Sequence, residues 1–303
     1  SRKMKAKHVI IYLLLVIVTS SCIRDEAPNA EADILSCRLP GITMTTSPII
    51  NNNSVTLFVT PGTNISALAP EFTLTSGATI TPASGTERNF NSPQEYQVTA
   101  ADGIWKKTYA ISVIDTELAT IYNFEDTISG KKYYIFVERE NDKVIMEWAS
   151  GNAGYAMTGV AKTADDYPTF QIANGKNGKC LSLVTRSTGF FGGLVGMPIA
   201  AGNLFIGSFD VNNAMSNPLQ ATKFGLPFRH VPTYLAGYYK YKAGDQFTEG
   251  GKPVEGKHDI CDIYAIMYET SVSVPTLDGT NAFTSPNLVS MARIKDAKET
   301  DEW

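Results

Sequence analysis

Turn residues recur every eight to twelve positions through the first third of the chain, and that spacing restricts its fold more than any other feature. Strand-like runs at 55–60, 71–74, 95–100 and 107–113 are separated by Pro61-Gly62, Ser76-Gly77, Ser84-Gly85 and Asp102-Gly103. The last pair lies between Tyr96-Gln97-Val98 and Tyr109-Ala110-Ile111-Ser112-Val113, a strong hairpin signal, because Asp-Gly tolerates the positive φ angles of a tight turn. Nowhere does a stretch of twelve or more residues show a helical period. A chain built this way folds as antiparallel β structure, and its 24 glycines and 15 prolines fit that class.

At 303 residues the chain is long enough for two domains. Residues 32–114 carry enough strands for one small sandwich. Residues 115–119 read as a short linker. A second β-rich region occupies 120–303, opening with runs 133–138 and 143–148 that form a hairpin across Asn141-Asp142. Further strand-like runs are 179–185, 204–211, 236–242 and 260–269. Eight or more strands in this second region suit a jelly roll.

The N-terminus carries a different signal. Arg2, Lys3, Lys5 and Lys7 precede an apolar run at 9–18. As a helix it spans only about 15 Å, half of a bilayer's hydrocarbon core, so it reads as a secretory signal rather than an anchor. Small residues then lead to Cys22. Thr19-Ser20-Ser21-Cys22 resembles a bacterial lipobox, with Thr19 departing from its usual Leu or Val. The resemblance implies a signal peptide over 1–22 and lipidation of Cys22. Arg24-Asp25-Glu26, in a polar tether over 23–31, resembles the surface-export signal of Bacteroidetes lipoproteins, which implies display outside the outer membrane. Cys37, Cys180 and Cys261 remain, an odd set with no close pair, and read as buried small hydrophobes rather than a disulfide framework, with one disulfide and one free thiol as the alternative.

Several functions are excluded at this level. A net charge of −4 gives no field for a polyanion, so no nucleic acid partner is expected. Neither Gly-x-Ser-x-Gly nor a phosphate-binding Gly-x4-Gly-Lys-Ser/Thr loop occurs. His258-x-x-Cys261, with Cys180 and His230 distant, supplies one close pair where structural zinc needs two.

Two segments resemble known families. The stretch 77–86 (GATITPASGT), with 96–100 (YQVTA) and 107–113 (KTYAISV), resembles the immunoglobulin-like spacer domains of Bacteroidetes surface lipoproteins. Such a spacer holds a distal domain away from the membrane. Tyr122-Asn123-Phe124-Glu125-Asp126, 199–207 (IAAGNLFIG), 223–228 (KFGLPF), 237–244 (GYYKYKAG) and 261–269 (CDIYAIMYE) resemble the putative carbohydrate-metabolism domain family. That resemblance implies a jelly roll similar to carbohydrate-binding modules and a role near glycan use. It transfers no catalytic residues. Domains of this family continue through further C-terminal strands, so a sandwich ending at Trp303 is expected to lack them. Phe124-Glu125-Asp126 also resembles the opening of many carbohydrate-binding modules, which implies a structural calcium held in part by Glu125 and Asp126.

For chemistry, Glu138, Glu140, Glu147, Asp259, Asp262 and Glu269 are the acids a glycosidase could draw on, but no spacing nominates a pair. Glu138 reads as the solvent face of its strand. Sugar C–H groups stack on flat rings, so exposed aromatics are the better candidates: Trp148, Tyr155, the loop pair Phe190-Phe191, and Tyr238. Strand alternation over 236–242 turns Tyr239 and Tyr241 inward and Tyr238 outward. The expectation is a surface-exposed outer-membrane lipoprotein that binds glycan without cleaving it. A glycoside hydrolase is the first alternative, and a structural or adhesive surface protein the second.

Overall fold

The computed structural model describes residues 29–294 and 296–303. The signal segment, Cys22 and most of the 23–31 tether lie outside them. The protein is mainly β, built from several small sheets with few helices.

Seven strands form the first region: β1 (Ile34–Arg38), β2 (Ile49–Ile50), β3 (Ser54–Phe58), β4 (Glu71–Leu74), β5 (Thr79–Thr81), β6 (Gln94–Thr99) and β7 (Lys106–Ile114). Five of them make one sheet in the order β2-β3-β7-β6-β5, and β1 pairs with β4. The β6–β7 hairpin is antiparallel about the Asp102-Gly103 turn, with Gly103 at φ +71°. The β3–β7 pairing is parallel, which the local pattern could not announce because its partners are far apart in sequence. Alternation along β7 buries Tyr109, Ile111 and Val113 while Lys106, Thr108 and Ala110 face solvent. These side chains meet Val55 and Leu57 of β3, Tyr96 and Val98 of β6, and Ile34 and Cys37 of β1 in one continuous core. Burial lifts the Cys37 thiol to about 12, so it behaves as an inert apolar group.

The segment after β7 is anchored at both ends. Asp115 accepts an ion pair from Lys143 at 2.7 Å, and Leu118 is buried. Lys143 begins β9 (Lys143–Glu147), which pairs with β8 (Val137–Glu140). Asn141 and Asp142 join them at φ +48° and +66°, a left-handed turn that Asn and Asp tolerate best among non-glycine residues.

Beyond this hairpin the strands are short. They are β10 (Thr169–Ile172), β11 (Cys180–Leu183), β12 (Arg186–Ser187), β13 (Ile199–Ala200), β14 (Gly207–Phe209), β15 (Thr222–Phe224), β16 (Thr248–Glu249), β17 (Lys252–Pro253), β18 (Tyr264–Tyr268), β19 (Leu277–Asp278) and β20 (Leu288–Arg293). All their pairings are antiparallel, in two-stranded sheets apart from the three-stranded β14-β15-β19. A buried polar knot ties β10 to its surroundings. Asn152 donates to the Thr169 carbonyl at 2.7 Å and accepts from the Thr169 N–H, while the Thr169 hydroxyl donates to the Asn203 carbonyl.

Two expectations are corrected here. Residues 236–242 form no strand, and only Tyr241 finds a ladder partner, in Thr300. A strand exists only when a second one accepts its backbone, so alternation cannot assign faces to Tyr238, Tyr239 and Tyr241. Phe190-Phe191 lie not in a loop but on one of three short α-helices among the described residues, α1 (Asn152–Tyr155), α2 (Gly189–Leu194) and α3 (Pro218–Ala221). All three are far below the length at which a helical period shows in sequence.

Candidate functional site

The strongest concentration of chemistry lies where 122–126 meets the β8–β9 hairpin. In that hairpin Val137 stands opposite Glu147 and Glu138 opposite Met146, so Glu138 and Trp148 are diagonal neighbours on one face. Trp148 Nε1 donates to Glu138 Oε1 at 2.8 Å, fixing ring and carboxylate together. Tyr122 meets the Trp148 ring edge-on at 5.0 Å, and Phe124 lies 5.4 Å from it and 6.2 Å from Phe136. Both Trp148 and Glu138 are half-buried, leaving part of each available to a ligand.

Phe124 holds φ +57°, a left-handed conformation unusual for a bulky side chain and worth about 1–3 kcal/mol of strain. Gln171 Nε2 supports this kink by donating to the carbonyls of Phe124 and Glu125 at 2.8 and 2.9 Å. The kink turns Phe124 toward Trp148. Asp126 follows on the surface, and its carbonyl accepts from the Val137 N–H, which keeps it beside the Glu138 strand.

The electrostatics follow from this packing. Desolvation raises the Glu138 carboxyl above its ordinary range; the Trp148 bond opposes the rise and the Asp126 charge adds to it. Desolvation, with a smaller push from Glu138, lifts the Tyr122 phenol to about 12. Tyr122 is therefore a neutral hydroxyl, and it donates to the Ala119 carbonyl.

A carboxyl with a raised folded value stabilises the fold below its ordinary 4.5, and that contribution is lost as pH rises through the raised value. Glu138→Gln, which keeps an acceptor for Trp148, should therefore melt at or above the wild-type temperature at pH 7. The gap should close below about pH 4.5. Melting curves across pH 4–8 check this, and a large loss at pH 7 contradicts it.

The other candidates distribute unevenly. Tyr238 is 67% exposed, with Lys176 Nζ 3.5 Å over its ring. The turn carrying Lys176 closes with Lys179 N–H donating to Glu125 Oε1 at 2.9 Å, so one turn links Tyr238 to the 122–126 segment. Its Gly178 sits at φ +86°, where an added Cβ would lie 2.2 Å from Glu125 Oε1. Phe190 is 83% exposed on α2, and Phe191 is less so. Tyr155 needs correcting: it is buried, donates to the Ser187 carbonyl at 2.8 Å and packs on Tyr167, so its ring offers no face to a ligand. Of the acids, Asp262 is held by Arg293 through two 2.8 Å bonds. Glu140, Asp259 and Glu269 are exposed surface residues. Glu147, on the opposite face from Glu138, keeps solvent contact, yet the surrounding protein raises its carboxyl while Lys131 opposes the rise.

Calcium takes six to eight oxygen ligands. Glu125 already accepts a backbone N–H, and no group of three or more His, Cys, Asp or Glu suited to a metal occurs among the described residues.

Sequence reasoning missed Tyr122, Phe124 and Gln171 as parts of this site. Counting register outward from the Asn141-Asp142 turn sets Glu138 opposite Ile145; the register shift between Glu138 and Arg139, which the sequence does not announce, is what brings it beside Trp148. The Phe124 kink had no sequence signal.

Comparison with known proteins fits the chemistry of these side chains. Residues 123–303 match the family described as "Putative carbohydrate metabolism domain". The chain belongs to that family. Residues 34–113 match the N-terminal domain of SGBP, the surface glycan-binding proteins. Among solved structures, the chain is similar to a protein described as a putative glycoside hydrolase from Bacteroides thetaiotaomicron, with 85% identity and a TM-score of 0.89 over 92% of this chain and 82% of that one. A second, described as a putative glycoside hydrolase from Bacteroides vulgatus, shows 48% identity and a TM-score of 0.56 over 60% of this chain and 74% of that one. No curated protein matches. The carbohydrate-metabolism match begins at Asn123, within the segment that carries the site.

Proposed function

We propose that this carbohydrate-metabolism family member is a surface lipoprotein that captures glycan without cleaving it, at the face formed by Trp148, Glu138 and Asp126. The observation that carries this reading is the Trp148–Glu138 bond. It holds a partly exposed ring, on which a sugar can stack, beside an acceptor for the sugar's hydroxyls. Tyr238, tied to the 122–126 segment through the turn carrying Lys176, is a further ring contact, and Phe190 is a separate exposed ring. In this reading the signal peptide is cleaved just before Cys22, which is acylated as the mature N-terminus, and 23–31 tethers the chain to the outer membrane. Residues 32–114 act as an immunoglobulin-like sandwich spacer, and 120–303 as a jelly roll presenting the site. The match to SGBP N-terminal domains supports the spacer and the surface location, and the antiparallel pairings support the jelly roll.

One observation favours a second reading. Glu138 has a raised carboxyl and an acidic neighbour in Asp126, the pairing an acid-catalysed glycosidase uses. A glycan panel assayed in parallel for binding and for new reducing ends separates the two. Capture predicts retention of an oligosaccharide with no reducing ends released. Release that disappears in Glu138→Gln would replace capture with hydrolysis.

A further inference from the structure

We infer that the tip of the β6–β7 hairpin is a membrane-contacting surface, with Ile104 and Trp105 seated in the headgroup region of a phospholipid layer. The inference rests on the proposed acylation of Cys22. Ile104 is 79% exposed and Trp105 65%, adjacent large apolar side chains at the end of a hairpin whose other large apolar residues are buried. They are not loosely held. Asp102 Oδ1 accepts the N–H groups of Ile104 and Trp105 at 2.8 and 3.1 Å, and the Trp105 carbonyl accepts from Ala100 at 2.9 Å. A backbone fixed in this way keeps both side chains presented to solvent, where they are unfavourable unless something covers them.

The position of the tip says what covers it. The Asp102 N–H donates to the Asn29 carbonyl at 3.3 Å, so the tip lies against the point where the chain enters the domain. The neighbouring turn is at the same end: Thr75 donates to the Glu31 carbonyl at 2.8 Å, and a Cβ on Gly77 would touch Ala101. From Cys22 to Asn29 is seven residues, at most about 25 Å fully extended. An acyl chain on Cys22 therefore holds this end of the domain within that distance of the bilayer, and Ile104 and Trp105 are the most exposed large apolar side chains there. Tryptophan is the side chain best suited to the interface, with an apolar body and an N–H for the wet side. Lys106, exposed next to it, complements lipid phosphates. The contact would orient the spacer as well as tether it.

The test uses the acylated full chain in vesicles of phosphatidylethanolamine and phosphatidylglycerol doped with brominated lipid, reading tryptophan emission. Trp148 and Trp303 are shared by wild type and Trp105→Phe, so the difference reports Trp105 alone. Bromolipid should quench the wild type, and most of that quenching should disappear in Trp105→Phe. Equal quenching in both overturns the contact. So does a Trp105 unquenched in vesicles but shielded on whole cells, which would assign the tip to a protein neighbour. Mass spectrometry of the Cys22 peptide separates the two levels: no acyl mass removes the anchor and this inference with it, whereas an acyl mass with unquenched Trp105 removes this inference alone.

Discussion

Gly207→Ala should unfold the β14-β15-β19 sheet and leave the first region folded. Gly207 holds φ +144°, a conformation open in practice only to glycine, and pairs with Phe224 across β14 and β15. A Cβ there would sit 1.9 Å from the Lys223 carbonyl oxygen and 2.9 Å from its carbon. Both are backbone atoms, so no side chain can rotate away; the strand must leave the ladder. β15 also carries β19, and the Phe224 carbonyl accepts from Tyr268 and Thr276, so the damage spreads through the centre of the second region. A cost above about 4 kcal/mol is expected, at the upper end for single substitutions. Thermal unfolding followed by calorimetry should show the second region's transition displaced downward or lost. A curve matching the wild type would contradict the β14–β15 register.

Tyr109→Ala should have a comparable effect on the first region. The ring is buried in the main core, and its hydroxyl donates to Asp33 at 3.1 Å while accepting from the Ile34 N–H at 3.3 Å. Lys107 reaches the same Asp33 carboxylate at 2.5 Å and lies 5.0 Å from the ring. Removing a ring of this kind from a core costs about 3–5 kcal/mol, much of a small domain's stability. Tyr109→Phe keeps the ring and loses the two hydrogen bonds, so it should cost about 1–2 kcal/mol. Tyr96, equally buried, finds no partner for its hydroxyl among the described residues, so Tyr96→Phe should cost less than Tyr109→Phe. Chemical denaturation of the three variants checks that order.

These contacts show what a sequence discloses and what it withholds. Both hairpins were legible because Asp102-Gly103 and Asn141-Asp142 specify their turns locally. The parallel β3–β7 pairing and the absence of a strand at 236–242 were not, since each depends on whether a distant segment arrives as partner. The candidate site divides in the same way. Trp148, Glu125, Asp126 and Glu138 are conspicuous as residue types near the start of the second region. Their convergence needs the hairpin register and the left-handed Phe124, which no composition or spacing encodes. Tyr155 resembled Tyr238 as a residue, but burial separates them, because one packs on Tyr167 and the other stands 67% exposed.

The most direct measurement of the central claim is a calorimetric titration of the retained oligosaccharide into wild type and Trp148→Ala, each first checked by melting. A ring stacked on a ligand contributes about 1–3 kcal/mol, taking base–aromatic stacking as the analogue. The account therefore predicts affinity weaker by about 5- to 150-fold in Trp148→Ala. Trp148→Phe, which keeps a ring but cannot bond Glu138, should fall between them. Equal affinity in all three proteins, with every one still folded, would contradict a binding face at Trp148.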